Sequence, residues 1–164
     1  FRSGRGIIDQ LFVIRQLAEK YCERNRTLYN NFIDFKQAFD RVWRDGLWQV
    51  LRHCGIPETM LELLEDLYRR SLSTVMVDRE LTEWFEVVIG VRQGCNLSPY
   101  LFLLILEAVM KIALENCSAG VQLDGYLLNN LRFADDIDLM ADSKEDLQEI
   151  TTSVRYITPA QNLD

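Results

Sequence analysis

Two adjacent carboxylates, Asp135 and Asp136, lie between two β-prone stretches in Leu131-Arg132-Phe133-Ala134-Asp135-Asp136-Ile137-Asp138-Leu139. Such a pair belongs at or near a hairpin turn, where neighbouring carboxylates repel one another unless a cation lies between them. A tight hairpin turn ordinarily takes Asn-Gly or Asp-Gly, and Asp-Asp offers no glycine. Two readings stay open for the pair: polar turn residues, or oxygen ligands for a hard cation. A third carboxylate, Asp34, sits inside the apolar stretch Phe32-Ile33-Asp34-Phe35. A carboxylate buried there needs a partner. It either caps the turn at a strand end beside Lys36 or faces a cation. Mg²⁺ is commonly held by one or two carboxylates plus substrate phosphates. If Asp34 meets the other two, three acids suffice for two ions roughly 3.5–4 Å apart, which clamp the attacking and leaving oxygens of phosphoryl transfer.

Other chemistries find few residues. His53 is the single histidine and lies near a helix end, which reduces a Ser-His-Asp constellation to a bare possibility. The four cysteines at 22, 54, 95 and 117 lie far apart with no CxxC pair. Neither a zinc cage nor a disulfide framework is indicated, and a reducing compartment, nuclear or cytoplasmic, is expected. The longest apolar run, Tyr100 to Leu106, is seven residues and too short to span a bilayer. At 164 residues with 48% apolar side chains, the chain can build one packed core. It begins at Phe1 and ends at Asp164 without a stop signal, and reads as a piece of something longer. With 18 basic against 25 acidic residues the net charge is -7. Alone this argues against a phosphate-binding surface, an argument that weakens if the acids are gathered in a metal site.

The elements that must position these acids are mixed. Asp9 is placed to cap a helix in which Leu11, Ile14, Leu17, Ala18 and Tyr21 recur at helical spacing. Leu28 to Phe35 reads as a strand. Asp45 to Cys54 reads as a helix stopped by Gly55, and Pro57 opens the next, through Arg70. Thr74 to Val77 and Trp84 to Ile89 are expected to pair as a hairpin around Asp78-Arg79-Glu80. Ser98-Pro99 starts an apolar core helix to Leu114, followed by strands at 121–123, 126–128, 131–134 and 137–141. Ser143, with Asp146 three residues on, caps a last helix to Ile157. Helices interleaved with antiparallel hairpins give an α+β fold and not a doubly wound parallel sheet. Asp40 and Asp138 read as surface acids or supporting groups, the surface preferred.

Four blocks, in order, resemble successive motifs of reverse transcriptases: Phe1 to Gln10 (FRSGRGIIDQ), Phe32 to Gly46 (FIDFKQAFDRVWRDG), Gly90 to Phe102 (GVRQGCNLSPYLF) and Phe133 to Asp136 (FADD). The flavour is that of non-LTR retrotransposons and their group II intron relatives, and Phe133 in place of a tyrosine agrees with that branch. The resemblance implies a right-hand polymerase palm, its antiparallel sheet backed by helices. A fingers remnant would cover about residues 1–30 and the palm about 31–164, with no thumb.

It implies an RNA-directed DNA polymerase adding deoxynucleotides to a primer 3′ end. Asp34, Asp135 and Asp136 would be its catalytic metal ligands, holding two Mg²⁺, or Mn²⁺ in their place. Asp34 and Asp135 would bridge the ions, with Asp136 more peripheral. Phe39, five residues after Asp34, matches the aromatic that blocks a ribose 2′-hydroxyl. Phe35, Gln93 and Gly94 match nucleotide-pocket positions, and Arg2 and Arg5 a segment near the template. The implied partners are an RNA template, a DNA primer and deoxynucleoside triphosphates, with no membrane. Without a thumb, this piece alone is expected not to polymerise. A domesticated, non-catalytic binding module is the alternative, and the three acids and Phe39 speak against it.

Overall fold

The computed structural model describes residues 6–35, 37–123 and 125–157. In chain order the elements are α1 (Ile7–Glu23), β1 (Tyr29–Ile33), α2 (Arg44–His53), α3 (Glu58–Arg69), β2 (Leu72–Ser73), β3 (Met76–Val77), β4 (Glu80–Leu81), β5 (Phe85–Glu86) and α4 (Ser98–Leu114). They continue with β6 (Val121–Leu123), β7 (Tyr126–Leu128), β8 (Asn130–Phe133), β9 (Asp136–Ala141) and α5 (Lys144–Ile157). Every paired strand is antiparallel, so the fold is α+β as expected. No described helix is long and apolar enough to cross a membrane. The chain divides into two compact units, one from the chain before residue 37 and after residue 106, the other Gln37–Leu106.

The first unit is organised by a three-stranded sheet in the order β1-β9-β8. β9 is central and is buried from Ile137 through Ala141. A strand covered on both faces reads as a continuous apolar run, and IDLMA nearly is one. On one face Asn31 donates to Thr151 Oγ1 at 3.0 Å, bringing α5 over the sheet with Ile150 and Val154 fully buried. On the other, Met140 packs with Leu17 and Tyr21 of α1 and with Val121. Ser143 caps α5 as its spacing implies, its Oγ accepting the Asp146 N–H at 3.0 Å. The cap of α1 differs from expectation. Gly6 is the N-cap, and Asp9, inside the first turn, reaches back to accept the Gly6 N–H at 2.9 Å. The far end of α1 is fastened by Tyr21, whose hydroxyl donates to Asp142, while Arg26 lies over its ring and pairs with the same carboxylate. Burial first, then the Asp142 carboxylate, pushes the Tyr21 phenol up to about 12.

The second unit packs α2 against α3 through Leu47, Leu51, Leu61 and Tyr68, with the Trp48 and Tyr68 rings 5.7 Å apart. Gly55, at φ 80, ends α2, and Pro57 is the N-cap of α3. The strand pairing corrects the hairpin expected here. β3 pairs with β4, and β5 pairs with β2 instead. The reason is the turn. Asp78 and Arg79 both take positive φ, 49° and 70°, as the central residues of a two-residue type I′ turn. That shifts Glu80 out of the loop and into β4, so Trp84 to Ile89 finds its partner further back, at Leu72 and Ser73.

Candidate active site

The three acids lie at one end of the sheet in the first unit. Ile33 pairs with Ile137, so Asp34 is the next residue leaving β1 and Asp136 the residue entering β9. A ladder one residue longer would set them directly opposite, the placement in which cross-strand Cβ atoms lie about 4.5–5.5 Å apart. Phe133 pairs with Asp136, so the two turn residues are Ala134 and Asp135. Ala134 takes φ 54, a left-handed conformation costing a non-glycine residue about 1 kcal/mol. Strain of this kind persists only where the surroundings fix it, and it gathers at functional sites. Asp34 and Asp136 are exposed and Asp135 half-buried. No hydrogen bond or ion pair engages these carboxylates among the described residues. An oxygen-only donor set left free of protein partners suits a hard cation. Among the described residues no three acid, histidine or cysteine side chains are gathered closely enough to form a metal cage.

Asp138 is not the surface acid the sequence suggested. It is only 5% exposed, on the central strand, with Oδ2 accepting from Asn30 Nδ2 at 2.8 Å and Oδ1 without a partner. Burial pushes its carboxyl up to about 6, against the pull of the Asn30 bond. It shares a strand face with Asp136, two residues away. Nothing in the sequence reveals this, because Asn30 lies 108 residues earlier.

The expected nucleotide-pocket residues divide between the units. Phe35, in the first, is buried at 3% exposure. Phe39, Gln93 and Gly94 lie in the second. The Phe39 ring is half-buried against Phe102 at 4.8 Å, and Gln93 Nε2 lies 3.4 Å from the Asp40 carboxylate. Two backbone bonds join these segments: Gly90 N–H to the Val42 carbonyl at 2.9 Å and Val91 N–H to the Phe39 carbonyl at 2.8 Å. Gly94 takes φ 79 with open space around it, so it serves the turn. Arg2 and Arg5 lie outside the described residues. Sequence reasoning missed Arg44, which donates to the carbonyls of Tyr68, Val87, Ile89 and Gly90. Side-chain bonds to backbone carbonyls leave no residue pattern to read.

The fold recurs in telomerase from Candida tropicalis. One structure, of the apo protein truncated from its C-terminal domain, matches 93% of this chain and 31% of its own, at TM-score 0.61 and 18% identity. Another, in complex with a fragment of telomeric RNA, matches all of this chain and 29% of its own, at TM-score 0.66 and 15% identity. Residues 1–163 match the family described as reverse transcriptase (RNA-dependent DNA polymerase), and the chain belongs to that family. Relatives include the Pol polyprotein of the R2 element of Nasonia vitripennis, 28% identical over the whole chain and 16% of the relative. The R2DM polyprotein of Drosophila melanogaster is 25% identical over 90% of the chain and 14% of the relative. The RNA-directed DNA polymerase of the jockey element of the same fly is 31% identical over 62% of the chain and 11% of the relative. The chain thus spans about a sixth or less of these relatives' length.

Proposed function

We propose that this chain is the palm, with part of the fingers, of an RNA-directed DNA polymerase of the non-LTR retrotransposon type. It would add deoxynucleotides to a DNA primer 3′ end on an RNA template. The observation that carries the reading is the pairing of Ile33 with Ile137, which sets Asp34 beside the Asp135-Asp136 turn at the end of one sheet. Asp34, Asp135 and Asp136 would be the residues to hold two Mg²⁺ ions. When bound, such ions activate the primer hydroxyl and neutralise the charge developing on the phosphates. The protein's share is to offer carboxylate oxygens that no described residue engages, at the end of a sheet whose ladders fix the strands beside them. No side-chain nucleophile or histidine base is required for this chemistry. Phe39 would stand against a ribose 2′-hydroxyl, the group separating the two nucleotide classes. Gln93 and Gly94 would line the pocket, and Arg2 and Arg5 would meet template phosphates. A nuclear or cytoplasmic setting suits the four free cysteines.

Two measurements test this. Mn²⁺, a paramagnetic stand-in for Mg²⁺, should bind the chain in electron paramagnetic resonance titrations, and Asp135→Asn should weaken that binding about tenfold or more. A protein carrying this chain should extend a primer on RNA, and the same substitution should abolish extension. Extension that survives Asp135→Asn would refute the metal assignment.

A further inference from the structure

The segment from Val87 to Gln93 has little regular structure of its own, yet it is held at many points, five of which set its path. Arg44 supplies three of them, donating at 2.7 Å to Val87, 3.2 Å to Ile89 and 2.8 Å to Gly90. Ser98 supplies the fourth, its hydroxyl donating to the Arg92 carbonyl at 2.6 Å. The fifth is the pair of backbone bonds from Gly90 and Val91 to the Phe39–Val42 turn. The fit is close. A Cβ on Gly90 would lie 2.5 Å from the Asp40 carbonyl oxygen. Arg44 is itself fixed, 5.0 Å over the buried Tyr68 ring and bonded to the Tyr68 carbonyl at 3.2 Å. Along the segment runs an open groove of about 770 Å³, lined among others by Asp40, Arg44, Ser71, Arg92 and Gln93. That volume lies in the range of small-ligand sites.

We infer that Arg44 is a positioning residue for nucleotide selection. By gripping Val87, Ile89 and Gly90, its guanidinium fixes where Gln93 and Gly94 lie against the Phe39–Asp40 turn, without touching the nucleotide. The inference deepens the polymerase reading and rests on it for the word selection; the clamp itself rests on geometry alone. A planar fork with five donors can serve several carbonyls at once, whereas a lysine ammonium cannot match that geometry.

The test uses Arg44→Ala and Arg44→Lys in the full chain, with amide hydrogen exchange and with Mg²⁺-dependent binding of a deoxynucleoside triphosphate and its ribonucleotide counterpart. In Arg44→Ala the Gly90 and Val91 amides should exchange about tenfold faster, the scale of losing one or two hydrogen bonds to a charged group, while those of β9 keep their protection. Added guanidinium ion should restore Gly90 and Val91 protection, and Arg44→Lys should not. The deoxy-to-ribo binding ratio should fall about threefold or more in both variants and recover with guanidinium in Arg44→Ala. Exchange accelerated equally in β9 would overturn the inference, since Arg44 would then only stabilise the fold. Local loss with an unchanged ratio would overturn it too, because the clamp would not reach selection. If a longer protein carrying this chain, unsubstituted, bound neither triphosphate, the polymerase reading would fail, and the exchange result would still decide the clamp.

Discussion

The carboxylate end of the sheet and the Gln93 loop are held in opposite ways. At the sheet end the backbone is fixed by ladders from Tyr29↔Ala141 to Ile33↔Ile137 and from Asn130↔Leu139 to Phe133↔Asp136, and the Asp34, Asp135 and Asp136 side chains have no partner among the described residues. In the loop the backbone has no ladder, only single bonds from Val87, Gly90 and Val91, and side chains complete the grip: Arg44 on three carbonyls and Ser98 on a fourth. The difference teaches what each chemistry needs. A cation ligand gives its lone pairs to the ion, so its position must come from the main chain. A pocket wall works by shape, so its side chains are free to be spent on holding it.

Charge removal at the sheet end should have the largest effect. Asp34→Asn in a protein that extends primers should lower the rate by about a thousandfold or more, the scale of removing a group that stabilises transition-state charge. Its melting temperature should stay level or rise, since an unpartnered acid contributes no bond to lose. A fall of more than about 5 °C would mean Asp34 is a structural cap, and the contrast between the regions would break. Next comes the loop. Gly90→Ala meets both a φ of 79° and the 2.5 Å approach to Asp40, and should cost about 2–4 kcal/mol by thermal unfolding. A cost below about 0.5 kcal/mol would show the loop to be loosely laid.

Phe39→Val should raise ribonucleotide incorporation about tenfold, the scale of one to two methylenes in a pocket contact, with deoxynucleotide use largely kept. Steady-state incorporation of each substrate decides it, and an unchanged ratio would leave the ring as a packing partner of Phe102 alone. The smallest effect belongs to the fastening of α1. Tyr21→Phe should cost about 1 kcal/mol for its bond to Asp142. Since the folded phenol is held up at about 12 against an ordinary 10.0, its contribution is complete below pH 10 and fades between 10 and 12. Denaturant unfolding of both proteins across that range should converge, and parallel curves would deny the coupling.

What could be read in the sequence was local. The spans of α2, α4 and α5 and the Ser143 cap depend on residues within a turn or two, as do the strands flanking Asp135 and Asp136. The acids themselves were found through the ordered motifs, because their approach spans about a hundred residues that no periodicity describes. The β3–β4 turn was misread because Asp78-Arg79 adopts a geometry usually announced by glycine. Asp138 was misread because its place on the central strand and its bond to Asn30 depend on β1, distant in sequence. Arg44 was invisible because carbonyls carry no residue identity.

The pairing of β1 with β9 has a consequence for how the chain folds. Tyr29 and Ala141 are partners across 111 intervening positions, with all of Gln37–Leu106 between them. Closing so long a loop is entropically costly and slows folding. The β8–β9 hairpin, with two residues in its turn, can form first and on its own, whereas β1 must wait. Asp135 and Asp136 would therefore be in place early, and Asp34 would arrive with the last long-range contacts. The trio of acids would then report completion: a partly folded chain would present two acids of the three until the sheet has closed.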